Sequence, residues 1–460
     1  MQEDTKRSSL SLVENPIPQA LIRMTAPMIL GMAMLFTFSL VDTLFISFLG
    51  TESLTAISFT FPVTFMIMSL AIGLGIGTSA VVAKYLGRAD YEKAKEASTV
   101  TNYLAIFCGA VTVLICWTFL DLIFVTIGAS EAMLLLIRQY MLIWLPGSVL
   151  LVAIINGNSI LRACGDTKSP SIILAASGLI NAILDPILIF GLGPIPAFGI
   201  AGAALATMAS WLLGFVYLFY LLAVKLELVS RIMPSKSVLI SSSREMLRIG
   251  LPAAGANMMT PVAAGIMTAI AAGFGETAVA AFGVGSRIEP LATLLILAMS
   301  STLPPLISQN FGAGRIDRVA EAYRLSTRFI LGWQILIYLI LAACAGLIAI
   351  IFSSDPEVIA AIKLYIWILP LSYGMQGIVI ITNSSLNALH RPAAALYLSA
   401  ARFFIFYIPL AWLGSIYLGL PGFFAGALIG NGVMAIVSLR SFRRAIATET
   451  KSMQQAAPIP

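Results

Sequence analysis

The sequence contains few charged residues for its length. Only 10% of its 460 residues are Asp, Glu, Lys or Arg, whereas 59% are hydrophobic. A water-soluble domain needs a larger share of polar residues to cover its surface, so this composition excludes an ordinary soluble protein. Most of the molecular surface is therefore expected to face lipid.

Histidine and cysteine are also scarce, which removes the usual ligands of a metal site. The single histidine, His390, stands beside Arg391 and Pro392, where a loop or interfacial role is expected rather than a proton relay. Without metal-ligand spacing, the four cysteines are expected to be small buried hydrophobic residues: Cys108, Cys116, Cys164 and Cys344. We predict no bound metal and no cofactor.

A cleavable signal peptide and a basic nucleic-acid-binding face are missing too. The N-terminal stretch MQEDTKRSSLSLVENPIPQ is polar and has no apolar core before a small-residue cleavage site. The net charge of +6 comes from basic residues scattered through short loops. The first span is expected to act as the insertion signal, and no nucleic acid is expected as a partner.

Long apolar runs with short polar breaks recur along the chain. A helix needs roughly 20 mostly apolar residues to cross the hydrocarbon core, and a membrane β-barrel would show shorter, alternating segments. We predict an all-α polytopic membrane protein with about twelve transmembrane helices. The predicted spans are 22–48, 54–82, 99–126, 133–160, 170–191, 199–224, 249–274, 278–307, 327–352, 359–387, 393–416 and 421–440.

The basic residues indicate how the chain is oriented. All but four of the 27 Lys and Arg residues lie at the chain ends or in the even-numbered connections; the exceptions are Arg138, Lys363, Arg287 and Arg402. Loops on the cytoplasmic side carry an excess of Lys and Arg. We predict a multi-pass protein of the bacterial inner (cytoplasmic) membrane with both termini in the cytoplasm.

The two halves of the chain match at a constant offset of 225 residues. The matched pairs include Pro27 with Pro252, Gly50 with Gly275, Gly87 with Gly312, Tyr140 with Tyr365, and Asn158 with Asn383. Six helices per half make corresponding helices run in the same direction, which gives a pseudo-two-fold axis along the membrane normal. We expect two six-helix lobes in a V shape around a central cavity. The predicted domains are an N-terminal lobe with the cation-coupling site at 1–224, a cytoplasmic linker at 225–248, a C-terminal lobe at 249–441 and a cytoplasmic tail at 442–460.

Two aspartates lie inside predicted spans of the N-terminal half. Asp42 in span one and Asp185 in span five each lie about six residues, or roughly 9 Å, below the outer end. An ionisable side chain inside a span costs about 2.5 kcal/mol or more, so each is a functional candidate. In the C-terminal half Met267 corresponds to Asp42 at the offset of 225, and Asp185-Pro186 aligns with Ile408-Pro409, so the fold itself does not need these charges.

Three further polar side chains reach the same depth: Asn181, Thr207 and Tyr140. Asn181 precedes Asp185 by four residues and therefore shares its helix face. The alternative, that these three bond backbone carbonyls or face a helix interface, stays open. Two neighbouring carboxylates in a low-dielectric site cannot both ionise cheaply, so the cluster is predicted to accept a proton.

Two prolines are predicted to make the helices of this cluster bend. Pro186 removes the amide that would bond to the carbonyl of Ala182, and Pro27 weakens span one on its cytoplasmic side. We hypothesise that protonation of Asp42 or Asp185 rebends span one.

Other polar residues inside spans carry weaker predictions. Arg287 and Glu289 are two residues apart on a helix, so they do not face each other and instead pair with neighbours or line a cavity. Arg402 either lines a cavity or is a structural arginine satisfied by backbone carbonyls. Asn158 and Asn383, matched in the repeat, are candidates with Arg287 for a substrate cavity or polar network.

Several motifs resemble those of the MATE (multidrug and toxic compound extrusion) family. They are LVDTLFISFLG in span one, the GRAD and GAGR loops, LRACGDTKSP after span four, and NAILDPILIFG followed by GIAGAALAT. The likeness covers nearly the whole chain. It implies efflux of cationic, amphipathic drugs and dyes by antiport against H⁺ or Na⁺.

Within the family the sequence resembles the DinF-like branch, whose cation site lies in the N-terminal lobe. The pattern of that site falls on Asp42, Asn181, Asp185 and Thr207, with Tyr140 and Asn158 nearby by motif. Asn158 fits less well, because its predicted span places it near the cytoplasmic end. The NorM-like branch has acidic residues in spans seven and ten, where LPAAGANMMTPVAAG and LPLSYGMQGIVII have none. A cation site in the C-terminal lobe is therefore not expected. H⁺ is favoured over Na⁺, although the same four side chains offer the oxygen ligands that Na⁺ accepts.

The predicted function is secondary active multidrug efflux, and with it antibiotic resistance, by a monomer that exports small-molecule drugs or dyes across the lipid bilayer. A Na⁺-coupled drug antiporter is the first alternative. A lipid-linked precursor flippase is the second, disfavoured because its phosphate needs a basic cavity and only Arg287 and Arg402 lie in spans. No Walker motif and no clustered catalytic residues occur, so no enzymatic activity is predicted.

Overall fold

Apolar α-helices make up almost all of the described chain, residues 12–230 and 234–456 of a computed structural model, and no β-strand occurs in these ranges. Ten helices are long and apolar enough to cross a membrane, and a bent pair makes eleven. One of the ten, Pro392–Ser452, holds two spans, because its 61 residues would extend about 90 Å as one helix. The predicted all-α fold with about twelve spans is confirmed. The predicted segments outside these ranges are the ends of both tails and three linker residues: 1–11, 231–233 and 457–460.

The two spans joined in Pro392–Ser452 meet at Gly419. Its φ of 63° and ψ of −146° are not helical, and glycine adopts a positive φ at little cost. On the two sides of this turn the backbones of Gly414 and Gly422 touch, and a Cβ on either would collide with the other. The chain therefore reverses at Gly419 and separates spans eleven and twelve.

The first compact unit contains residues 22–254 together with the described residues up to Asn15. Its helices are α1 (Ile17–Ser47) from Ile22 onward, α2 (Thr51–Gly87), α3 (Tyr91–Thr118), α4 (Leu120–Ile127), α5 (Glu131–Ala163), α6 (Lys168–Phe190), α7 (Ile200–Tyr220) and the first half of α8 (Lys236–Ala272), with a π-helix at Leu221–Lys225. Helices α2 and α5 form its centre, since 67% of the most apolar stretch of each is buried. Only 11% of that stretch is buried in α1, which is a peripheral helix.

Small residues bring α1 and α6 close together. A Cβ on Gly31 of α1 would lie 2.9 Å from the Cα of Ser171 in α6. A Cβ on Gly178 of α6 would collide with the ring of Phe38 in α1. Glycines commonly permit such close helix packing in membranes. The contact holds together the two helices that carry the predicted acidic residues.

The polar stretch predicted as a linker is helical over its second half. Helix α8 begins at Lys236 and continues into span seven, and the first unit extends to Ala254. Glu245 of α8 accepts hydrogen bonds from Lys84 Nζ at 3.1 Å and from the Tyr85 hydroxyl at 3.3 Å. These bonds to α2 give the polar turns of α8 a partner, which explains why they fold as helix.

The second compact unit contains residues 16–21 and the described residues from Gly255 onward. Its helices are the second half of α8, α9 (Glu276–Ala292), α10 (Leu294–Gly312), α11 (Ile316–Ala343), α12 (Ala345–Phe352), α13 (Pro356–Ile368), α14 (Tyr373–Ala388), α15 (Pro392–Ala400) and α16 (Ile408–Ala456), with a 3₁₀ turn at Leu369–Ser372 and a π-helix at Ala401–Tyr407. Helices α9 and α10 meet at 45°. At this break Gln334 Nε2 donates to the carbonyl of Ala292 at 3.0 Å, which satisfies a group that the helix end leaves open. The two units are the two helical lobes that the repeat predicts.

Candidate functional site

The two aspartates predicted from their shared depth lie close together in the first unit. Asp185 of α6 is fully buried, and Asp42 of α1 is half-buried. Their carboxyl groups lie within hydrogen-bonding reach of each other. The close packing of α1 on α6 therefore brings together two acidic groups that are distant in sequence.

Asn181 links Asp185 to Thr207 of α7. Its Nδ2 donates to Asp185 Oδ1 at 3.2 Å and lies 3.4 Å from Thr207 Oγ1. Helix α7 approaches α6 closely here, because a Cβ on Gly202 would collide with the carbonyl of Leu188. Together with Asp42 these residues form one polar group, hereafter the coupling cluster: Asp42, Asn181, Asp185 and Thr207.

Tyr140 of α5 lies beside the coupling cluster. Its ring is buried, and its hydroxyl is near enough to both carboxyl groups to interact with them electrostatically. One helical turn further along, Trp144 meets Trp211 of α7 edge to face, with 5.6 Å between ring centroids. Helices α5 and α7 thus provide aromatic side chains next to the cluster. These lower the local dielectric constant and so strengthen the electrostatic interactions between the groups of the cluster.

The carboxyl groups of the coupling cluster receive too few hydrogen bonds from neighbouring donors. Asp42 Oδ1 and Asp185 Oδ2 are buried and receive no hydrogen bond from any described residue. No Lys or Arg in the described ranges forms an ion pair with either group. A buried carboxylate without donor or counter-charge is costly. A proton held by one carboxyl group would remove one charge and supply a donor between the two.

Both predicted bend positions lie inside helices that continue past them. Pro27 is within α1 and Pro186 is within α6. A proline inside a helix removes one backbone donor, so Pro186 leaves the carbonyl of Ala182 without its usual partner one turn from Asp185. The role of the two prolines as bends stays a prediction.

The other predicted site residues lie apart from the coupling cluster. Asn158 is buried in α5, about 27 Å along the helix from Tyr140. Asn383 of α14 and Arg287 of α9 belong to the second unit. Asn383 donates to Ser399 Oγ at 2.9 Å, whereas the Arg287 side chain is exposed.

The second unit contains a buried polar network that the sequence reading missed. Arg402 Nε donates to Asn431 Oδ1 at 3.1 Å, and Asn431 Nδ2 donates to Ser372 Oγ at 3.1 Å. Gln376 Nε2 donates to Glu289 at 2.7 Å. The expectation that backbone carbonyls satisfy Arg402 is wrong, because a side chain on the neighbouring span supplies its acceptor. The available signal was the lone asparagine in the apolar run GALIGNGVMAIV.

Metal-ligand groups are sparse in the described ranges. No set of three or more His, Cys, Asp or Glu side chains there is arranged to hold a metal ion. In the coupling cluster, Asn181 places its amide nitrogen 3.2 Å from Asp185 Oδ1 and 3.4 Å from Thr207 Oγ1.

Comparison with known protein families gives a match to both halves of the chain. The family model described as MatE matches residues 27–187 and again residues 252–413. The two matches begin 225 residues apart, which is the offset of the internal repeat.

Individual relatives are similar over nearly their whole length. A protein named FAD transporter from Shewanella oneidensis is 41% identical, over 92% of this chain and 94% of that protein. The multidrug export protein MepA of Staphylococcus aureus is 26% identical over 93% of each. The crystal structure of the Vibrio cholerae MATE transporter VcmN in the bent form shares 33% identity and a TM-score of 0.89, covering 96% of this chain and 99% of that one.

Proposed function

This chain belongs to the MATE family of membrane transporters, and we propose that it exports bulky organic solutes in exchange for protons. The observation that carries the proposal is the pair of buried carboxyl groups of Asp42 and Asp185, which lie within reach of each other and have too few donors. Such a pair changes its hydrogen bonding when it gains or loses a proton.

The geometry suggests how one proton would change the helices. With one carboxyl protonated, its hydroxyl donates to the other and joins α1 to α6. After deprotonation both groups are acceptors and repel each other, and Asn181 remains the donor that holds Asp185. Asp42, on the peripheral α1, is then free to move away. Pro27 in α1 and Pro186 in α6 lower the cost of such a change in helix shape.

The arrangement of Asn181 favours H⁺ over Na⁺ as the coupling ion. A sodium ion prefers oxygen ligands, but the amide donates its N–H groups toward Asp185 and Thr207. A Na⁺-coupled mechanism would need the amide turned so that its oxygen joins the two aspartates and Thr207.

Two solute classes are supported by relatives. Organic, often cationic, drugs are the first, because MepA is named a multidrug export protein. A flavin dinucleotide is the second, because the relative named FAD transporter shares more residues with this chain than MepA does.

Three further assignments remain part of the proposal. The basic loops support a cytoplasmic position for both termini. A monomer is proposed because the coupling cluster lies within one unit. Membership of the DinF-like branch stays a prediction.

The test is solute transport by the purified protein in liposomes under an imposed pH gradient, in buffers free of Na⁺. Ethidium and FAD serve as the two probes. We expect the gradient to drive uphill movement of at least one of them with wild-type protein and with Asp121→Asn, a control at an exposed aspartate. Asp42→Asn is expected to remove the response to the gradient.

Three results would overturn proton coupling in the coupling cluster. They are transport that requires Na⁺, transport of neither probe, and transport by Asp42→Asn with an unchanged response to the pH gradient.

A further inference from the structure

Arg402 is a charged residue deep in the membrane part of the second unit. Its side chain is only 8% exposed and belongs to the π-helix Ala401–Tyr407. It lies ten residues, or about 15 Å along the helix, from Pro392 at the start of α15. A charge at such depth is costly, and π-helical turns are frequent at functional sites. The matching span of the first unit, α6, has no basic residue after its first residue, Lys168.

One edge of the Arg402 guanidinium is held in place. Nε donates to Asn431, which is itself fixed through Ser372. The guanidinium carbon lies 4.7 Å from the ring centroid of Phe403 and 5.9 Å from that of Tyr407. Stacking on aromatic rings and one hydrogen bond orient the planar group while leaving its other edge uncommitted.

The terminal nitrogens of Arg402 form that other edge. In the described part of the chain no acceptor lies within hydrogen-bonding distance of them and no carboxylate forms an ion pair with them. Glu289 is near enough to interact electrostatically, but it accepts its hydrogen bond from Gln376 at 2.7 Å. Glu289 therefore partly compensates the positive charge of Arg402 electrostatically, without a hydrogen bond to the guanidinium.

We propose that the open edge of Arg402 binds a phosphate group of the transported solute, an inference that rests on the proposed export function. Two parallel N–H groups of a guanidinium match two oxygens of a phosphate, and the low dielectric of the surroundings strengthens the pair. The depth of about 15 Å places the group below the level of phospholipid headgroups. The solute class that fits is a molecule with an aromatic body and a phosphate, such as a nucleotide.

FMN and riboflavin test this assignment, because they differ by one phosphate group and both fluoresce. Their affinities are measured with purified protein in neutral detergent, without a membrane or a pH gradient. We expect wild-type protein to bind FMN about tenfold or more tighter than riboflavin, the strength of a charge-assisted hydrogen-bonded pair. Arg402→Gln is expected to bind both flavins equally, and Arg443→Gln, at an exposed arginine of the same unit, to keep the preference.

Competition on wild-type protein keeps the test independent of how well the variant folds. Inorganic pyrophosphate is expected to displace FMN and not riboflavin, whereas phosphatidylglycerol added to the micelles is expected to displace neither. Equal affinity of wild-type protein for both flavins, including no affinity for either, would overturn the proposal. So would a preference for FMN that survives in folded Arg402→Gln, or displacement of FMN by the lipid.

The outcome of this binding test is independent of the outcome of the transport test. Loss of proton coupling would leave a phosphate preference at Arg402 intact, and loss of that preference would leave the pH response of the coupling cluster intact.

Discussion

The two units share a scaffold and differ in the charges that they bury. The first unit holds Asp42 and Asp185, acidic groups whose charge depends on a proton. The second holds Arg402, a permanent cation with Glu289 nearby. Two units with the same helix order can therefore carry opposite charges in matching spans. We infer that the first unit responds to protons and that the second does not.

The largest difference between the units is expected when one acidic residue is removed from each. Asp185→Asn is expected to reduce gradient-driven export to the level of empty liposomes, because the amide cannot exchange a proton. Glu289→Gln is expected to keep its response to the pH gradient, because Glu289 accepts a hydrogen bond from Gln376 and no carboxyl group of another described residue is bonded to it. Solute transport under equal pH gradients compares the two variants. A lost pH response in Glu289→Gln would show that both units take part in proton coupling.

The next largest effect is expected at the contact between α1 and α6. Gly178→Ala should destabilise the protein by about 1–3 kcal/mol, because the added methyl group meets the ring of Phe38. Gly332→Ala is the control, since its methyl group would meet nothing in the second unit and a helical Gly→Ala change usually stabilises by about 0.5–1 kcal/mol. Thermal unfolding in detergent measures both. Similar shifts in the two variants would argue against close packing at Gly178.

A smaller effect is expected when the donor of the coupling cluster is removed. Asn181→Leu deletes a hydrogen bond of about 1.5 kcal/mol to the ionised form of Asp185, so deprotonation should require a higher pH. The pH of half-maximal transport should rise by about one unit. Transport rates measured across a pH series give this midpoint. An unchanged midpoint with lower activity would assign Asn181 a structural role only.

The smallest effect is expected at the loop before α3, where the units also differ in charge. Asp90 caps α3, whereas Arg315 stands before α11, 225 residues later. The hydrogen bond from Lys93 holds the pKa of Asp90 below its ordinary value. A lowered pKa stabilises the folded state above the ordinary value of about 4, and this stabilisation is lost as the pH falls through the lowered pKa.

Asp90→Asn removes the charge but keeps a side chain that caps helices well. The free energy of unfolding of this variant should be below that of wild type at pH 7, by about 0.5 kcal/mol or less, and the difference should shrink as the pH falls through the lowered pKa of Asp90. A difference that does not shrink as the pH falls would mean that the cap and not the ion pair is responsible.

Much of the fold follows from local sequence. Apolar runs predict the spans, because a helix in lipid must satisfy its own backbone. They do not predict every helix end, since α8 begins at Lys236 and α11 at Ile316, whereas the predicted spans begin at 249 and 327. The repeat predicts the two units. The interruptions near Thr293 and at the π-helix of Arg402 were not predicted, because they depend on side chains from other helices, such as Gln334 and Asn431.

The residues of the candidate site could be predicted where their depth in the membrane alone determines which side chains meet. Asp42, Asp185 and Asn181 come together because residues at one depth on packed helices meet. Asn158 matches a family motif but lies far along α5 from the coupling cluster. A sequence motif does not indicate how deep a residue lies in the membrane. The partner of Arg402 was missed because Asn431 lies 29 residues away on another span, and sequence spacing does not show which faces meet.

The most direct test of proton coupling at Asp42 and Asp185 is to count the protons released when solute binds to purified protein in weakly buffered, Na⁺-free solution. A pH indicator records the release on addition of ethidium or FAD. If the two carboxyl groups share a single proton, wild-type protein should release about one proton per bound solute, and Asp42→Asn and Asp185→Asn should release none. Equal release from wild type and both variants would contradict it.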